Sequence, residues 1–296
     1  MASHAPRSAT LTPAAVPAVR LSAVPAIKPW GRHDLGRWGA CLGADPVAGP
    51  IGEIHHRLDG DDDPELFVKT LFTGERLSVQ VHPDAAAARA RGHRRGKDEA
   101  WVVLAADPGA TIGLGLKAAA TADLLRAAAL DGSIVDLMHW HRCVPGDVFF
   151  TPAGTIHAIG SGVTLFEVQQ NLDLTYRLHD YGRPRELHLD EALVVADLSA
   201  WKPPAPPLQL AAGHELLVAG PGFVLERVQA GRGRLTPPAT GPLWVSVIDG
   251  SIAIGDGTAS VGDVWQVTAP VEVTGQGLLL LAYAGADPVR ETWRRA

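Results

Sequence analysis

Residues 145–157 read PGDVFFTPAGTIH, and the fold is decided there. Gly146 and Gly154 stand where tight turns would join strands, because glycine adopts positive φ without a steric cost. Pro152 removes a backbone donor and blocks a helix across the segment. Between them VFF is β-branched and aromatic, a strand composition, and His157 falls at the start of the next strand. Outward from this stretch, LSVQVHP (77–83), EAWVVLA (99–105), VTLFEVQQ (163–170), LWVSVID (243–249), SIAIGDG (251–257), DVWQVTA (263–269) and LLLLAYAG (278–285) are equally short and bounded by Gly, Pro or Asp. Many short strands at close spacing describe a sandwich or barrel. Helix is expected only at 84–95, 117–130, 188–198 and in the last few residues.

A weak internal repeat divides the chain. EAWVVLAADPGATIGLG in the first half echoes LWVSVIDGSIAIGDG, and PGDVFFTPAGTIHAI echoes VGDVWQVTAPVEV. Pairing Trp101 with Trp244 and Gly146 with Gly262 leaves the first half with a surplus about the size of the helical stretch 117–142. The sequence therefore predicts an all-β dominated protein of two related β-barrels, with a small helical insertion near 117–142 in the first. The expected boundaries are a flexible Ala/Pro-rich extension at 1–25, a first barrel at 26–200, a Pro-rich linker (WKPPAPP) at 201–207 and a second barrel at 208–296.

Bulk composition excludes several functions. With 296 residues, 46% of them hydrophobic, the chain can bury a core without staples. Its 26 basic and 32 acidic residues are mixed along the chain, so no basic stripe attracts nucleic acid or an anionic membrane. No apolar run reaches the length of a membrane span. The two cysteines, Cys41 and Cys143, are far apart and fit a reducing, cytoplasmic setting. The acidic run at 59–63 reads as a solvated turn.

Strand alternation gathers one chemical constellation. Gln80 and His82 are two apart and share a face; Glu99 and His157 are expected inside the same barrel. Two imidazoles, a carboxylate and an amide oxygen form a mixed N/O set suited to zinc, one ion per chain, with positive charge left over for Lewis-acid work. In the second half, the repeat offsets place Pro242 opposite Glu99 and Val273 opposite His157, so that barrel is expected to hold no metal. PGDVFFTPAGTIH also matches the second metal-binding motif of cupins, which implies jelly-roll barrels.

Four blocks in order then carry a closer likeness: KTLFTGERLSVQVHPD, GKDEAWVVL, PGDVFFTPAGTIHAIG and LFEVQQNLDLTYRLHDYGRPREL. Together with KPWG at 28–31 they resemble type I mannose-6-phosphate isomerases of the short bacterial form. The resemblance implies that Gln80, His82, Glu99 and His157 are zinc ligands and that Arg177 is the catalytic arginine. It places Lys97 and Glu167 among groups for proton transfer or substrate contact, and Ser78 and Trp30 beside the substrate. Two departures touch the pocket wall: Asn171, Leu172 and Asp173 precede TYR where the family has Ser-Ser-Asp, and His55 replaces the tryptophan of a GEIW pattern.

The reaction so implied interconverts mannose 6-phosphate and fructose 6-phosphate through an enediol. It needs one acid/base group near C1 and C2 and positive charge near O1 and O2. Either Glu167 or Lys97 could be that base. Ser78 and Lys97, with Arg183 and Arg185 at the rim, are the expected phosphate donors. The competing readings are an iron-dependent cupin using His82, Glu99 and His157, a non-catalytic sugar-binding cupin, and a free-sugar isomerase. The partner is a small sugar phosphate, and the sequence leaves the oligomeric state open.

Overall fold

Strand accounts for 46% of the chain and helix for 12%, in a computed structural model that describes residues 16–43 and 47–296. All strand pairings within its three sheets are antiparallel. A six-stranded sheet runs in the order Ser22–Arg32, Ile51–Arg57, Leu66–Phe72, Val163–Gln170, Glu99–Ala106, Val148–Thr151. A five-stranded sheet orders Tyr176–His179, Val79–Val81, His157–Ile159, Thr111–Leu116 and Met138–Arg142. Their inner faces meet in a cluster that includes Leu71, Trp101, Val103 and Leu165 from the first sheet and Ile112, Leu114 and Ile159 from the second.

Period-two alternation explains why both faces of the six-stranded sheet are buried. In Leu66–Phe72, Phe67, Lys69 and Leu71 turn inward, whereas Leu66, Val68 and Phe72 join a second cluster with Leu217, Phe223, Leu225, Trp244 and Leu280 of the C-terminal half. The two halves are thus joined by a continuous apolar core. Helices cover the outer face of the five-stranded sheet. Ala122–Asp131 starts at Thr121, whose hydroxyl accepts from the Leu124 amide, and stops at Gly132 in the left-handed region, φ 88°. Leu125, Ala128 and Ala129 pack there on Val79, Val81 and Leu178. No described helix is long and apolar enough to cross a membrane.

The C-terminal half supplies nine strands of a ten-stranded sheet wrapped on its own core, with Leu243–Ile254 and Val271–Ala284 as the longest. Its turn at Gly262 copies the one at Gly146: both glycines have positive φ (87° and 97°), and they donate to Val247 and Val103 carbonyls respectively. That register pairs Val103 with Val247 and therefore Glu99 with Leu243, one residue on from the Pro242 expected by aligning tryptophans. Gly233 pairs with Val273 as Gln80 pairs with His157.

Three local expectations change. Helix 84–95 shrinks to Ala85–Arg89, because Gly92 turns at φ 85° and the following arginines reach away to Asp63 and Glu65. The acidic run is accordingly anchored at Asp63. The chain end is a strand, Trp293–Arg295, paired with Gly233–Leu235. The expected extension at 1–25 is corrected from residue 18 onward, residues 1–15 lying outside the described residues. Ala18–Arg20 pairs with Trp265–Val267 of the C-terminal half, Leu21 is buried, and Arg20 contacts Asp263 at 2.5 Å. Deleting residues 2–24 should therefore destabilise the fold, and Leu21→Ala alone should cost about 2–3 kcal/mol. Urea titration checks both, and an unchanged midpoint would contradict this packing.

Candidate functional site

The metal-ligand candidates come from both sheets. Glu99 projects inward from the six-stranded sheet; Gln80 and His157 face each other across adjacent strands of the five-stranded one, with Arg177 directly opposite Gln80 on its other side. His82 follows the strand Val79–Val81. The donor atoms of His82, Glu99 and His157 all lie within 4.8 Å of one another, and the three side chains are buried. Glu99 Oε2 is 3.4 Å from His82 Nε2 and 3.6 Å from His157 Nε2. Gln80 Nε2 lies 3.1 Å from His157 Nε2.

The tautomers follow from the backbone. His82 Nδ1 donates to the Leu174 carbonyl (3.0 Å) and His157 Nδ1 to that of Thr155 (2.8 Å), so both Nε2 atoms carry lone pairs. Burial lowers the pKa of both rings, that of His157 to about 3, and keeps them neutral. Burial alone would raise the pKa of Glu99, but the charge of Lys97 beside it holds it well below the ordinary carboxylate value. Two lone pairs and a carboxylate thus converge, and His82 Nε2 has no hydrogen-bond partner. A divalent cation satisfies this set. Corners of a zinc tetrahedron with arms of about 2.1 Å stand about 3.4 Å apart, which matches the carboxylate–imidazole spacings.

The other residues expected at the site line one pocket of about 400 Å³, which includes Trp30, Ser78, Gln80, Lys97, Glu99, Glu167 and Arg177. Lys97 Nζ is 3.2 Å from Glu99 Oε1. Ser78 Oγ donates to Gln80 Oε1 at 3.3 Å. Trp30 is buried on Gly52, where a Cβ would stand 2.8 Å from the indole. Arg177 Nη1 donates to the Glu186 carbonyl at 2.6 Å, while its buried Nε has no partner. Glu167 is clamped by Lys69 Nζ (2.8 Å) and by the Trp101 indole N–H (3.2 Å). Burial pushes its pKa up, with Glu99 adding to the effect and Lys69 and Lys97 opposing it.

Sequence reasoning missed Lys69 and Glu53. The signal for Lys69 was a lone cation inside the apolar strand LFVKTLF, and its partner Glu167 sits directly across the ladder. Glu53 lines the same pocket and holds His55, with Nε2 2.6 Å from Glu53 Oε2. Burial works against ionising Glu53, but the His55 hydrogen bond and the charges of Lys69 and Lys28 bring its pKa down to about 2.

No protein-family profile matches the chain. It is 35% identical over 219 residues to the mannose-6-phosphate isomerase of Streptococcus mutans serotype c, covering 68% of each chain. It is also 38% identical over 156 residues to the mannose-6-phosphate isomerase ManA of Bacillus subtilis, about half (49%) of each. Among solved structures, the Bacillus subtilis mannose 6-phosphate isomerase superposes with a TM-score of 0.78 at 24% identity, over 90% of this chain and 100% of that one. A putative mannosephosphate isomerase from Archaeoglobus fulgidus gives 0.69 at 18% identity, over 90% and 97%. The fold is thus shared along nearly the whole chain, the identity reaches 35% over two thirds of it, and the chain belongs to the mannose-6-phosphate isomerase family.

Proposed function

We propose that this protein is a zinc-dependent aldose–ketose isomerase that interconverts mannose 6-phosphate and fructose 6-phosphate, with one ion per chain. The observation that carries the metal requirement is the buried convergence of His82, Glu99 and His157, with His82 Nε2 left without a hydrogen-bond partner. Gln80, whose Nε2 now faces His157 while Oε1 accepts from Ser78, would complete the ligand set through its amide oxygen once the amide is turned over. The relatives support the substrate. The free thiols Cys41 and Cys143 and the lack of a membrane-crossing helix among the described residues support a cytoplasmic setting.

A zinc ion held by these four residues would place positive charge near O1 and O2 of the open-chain sugar. Glu167 is the base we assign: its raised pKa favours accepting a proton from C2 and returning it to C1, and its two hydrogen bonds fix the carboxylate in position. Lys97 is tied to Glu99 and serves better as a fixed cation than as a base. Arg177, with Nη1 anchored on a carbonyl and Nε unpartnered, offers a donor to the oxygen that gains charge in the enediol. Trp30 and Trp101 narrow the pocket against water.

The test is turnover of mannose 6-phosphate by the purified holoenzyme together with elemental analysis. Arg177→Ala should keep the metal and lose about 10²–10³-fold in kcat, the usual cost of one donor to a developing oxyanion. A near-normal rate in that variant would remove Arg177 from the mechanism, and an inactive wild type with a full metal site would remove the isomerase reading.

A further inference from the structure

Glu53, His55 and Arg57 alternate along the strand Ile51–Arg57 and so project from one face, and all three line the pocket. The ladder fixes where that face lies. His55 is directly opposite Lys69, which is opposite Glu167; Arg57 leans over the Phe67 ring, 5.1 Å from its centroid, and Phe67 is opposite Gln169, itself opposite Glu99. The strand carrying Arg57 is therefore three strands from the one carrying Glu99, about 14 Å between backbones. With side chains reaching inward from both ends, that interval accommodates a six-carbon chain and its terminal group.

Charge pairing narrows the choice among the pocket's cations. Lys28 is within 3.6 Å of Glu53, Lys69 within 2.8 Å of Glu167, Lys97 within 3.2 Å of Glu99 and Arg185 within 2.5 Å of Asp180. Among the described residues, Arg57 and Arg177 are the pocket cations without a carboxylate partner, and Arg177 adjoins the ligand Gln80 at the reacting end. The phosphate donors expected from sequence are engaged elsewhere. Ser78 and Lys97 hold Gln80 and Glu99, and Arg183 and Arg185 both hold Asp180.

We propose that Arg57, held by His55, binds the phosphate of the sugar substrate at the end of the pocket remote from the metal ligands, and so sets its preference for phosphorylated sugars. The inference rests on the isomerase reading above. Glu53 takes the Nε2 side of the imidazole and fixes the ring, whose edge rests on Phe67 with centroids 5.0 Å apart. This leaves His55 Nδ1 and Arg57 Nη2 side by side, 3.5 Å apart. A phosphate oxygen at that edge accepts from Arg57 Nη2, and His55 Nδ1 holds the guanidinium in place there. Both side chains stand on the same aromatic platform, so neither needs to be ordered at the moment of binding.

Steady-state kinetics of the holoenzyme on mannose 6-phosphate and on free mannose test this, with inorganic phosphate as a competitive inhibitor. Arg57→Ala should raise KM for the sugar phosphate and weaken phosphate inhibition by about tenfold or more, the loss of one charge-assisted pair, with kcat within about twofold. Selectivity over mannose should fall by the same factor. Arg57→Lys should recover part of it, and His55→Phe, which removes the contact that holds the guanidinium, should show a smaller loss. Equal losses on both sugars, or an unchanged inhibition constant for phosphate, would overturn the assignment. Should the wild type fail to turn over mannose 6-phosphate, the isomerase reading falls alone. Calorimetric binding of inorganic phosphate would still decide: affinity lost in Arg57→Ala supports the site, and equal affinity in both proteins refutes it.

Discussion

Replacing His157 by alanine should empty the metal centre and lower turnover by about a thousandfold or more, the largest effect on activity expected of any single change here. The wild type should carry about one divalent ion per chain. His157 supplies one of three buried donor atoms and is itself wholly buried. The residue also sits between Gln80 and Leu114 in the ladder, and its ring packs on Trp101, with centroids 5.4 Å apart. Without it, Glu99 keeps Lys97 as a partner, but the site loses one of its two imidazole lone pairs. Elemental analysis, activity and circular dichroism on the same sample separate the outcomes. A folded variant with full metal occupancy would exclude His157 from the ligand set. A folded, metal-free variant that still turns over at the wild-type rate would exclude the metal from the reaction.

The convergence of these side chains was legible in the sequence because they sit at positions where local rules are strict. Gly146 and Gly154 both adopt positive φ, at 97° and 88°, as the turns flanking VFFT demand. Gln80 and His157 meet because each lies on a short strand whose alternation allows only one inward set. Contacts that depend on distant pairing were not legible. Nothing local says that Ala18–Arg20 will join a strand almost 250 residues later, and its Ala/Pro-rich surroundings point the other way. The Ala-rich stretch after Asp84 has helix propensity for three turns, yet tertiary ties from Arg94 and Arg95 to Asp63 and Glu65 end it after one. The repeat was visible, but a one-residue slip in the tryptophan alignment was not, since Trp101 faces the pocket and Trp244 faces the core between the halves. Lys69 escaped for a related reason: a charge inside an apolar strand is interpretable only once the strand opposite is known.

Lys69→Met should produce the largest loss of stability expected of the pocket variants, about 3 kcal/mol near neutral pH, because it strands a buried carboxylate. Lys69 Nζ and Glu167 Oε1 are 2.8 Å apart, with side chains only 12% and 5% exposed, so solvent screens the pair weakly. Trp101 would remain as the one hydrogen-bond donor to Glu167. Lys69 is also the main group opposing the upward shift of the Glu167 pKa, so its removal pushes that pKa further above the ordinary value of 4.5. The sign of the pH dependence follows. A folded-state pKa above the unfolded one means that the folded variant binds its proton more tightly, so the penalty is smallest below about pH 4.5 and grows as pH rises through the raised folded value. Activity should shift in the same direction: the acidic limb of kcat/KM, set by ionisation of the base, moves to higher pH in Lys69→Met. Urea titrations of wild type and variant between acid and neutral pH, with pH–rate profiles on the same proteins, measure both. A penalty independent of pH would mean that Glu167 does not carry the charge, and an unmoved acidic limb would mean that another group is the base.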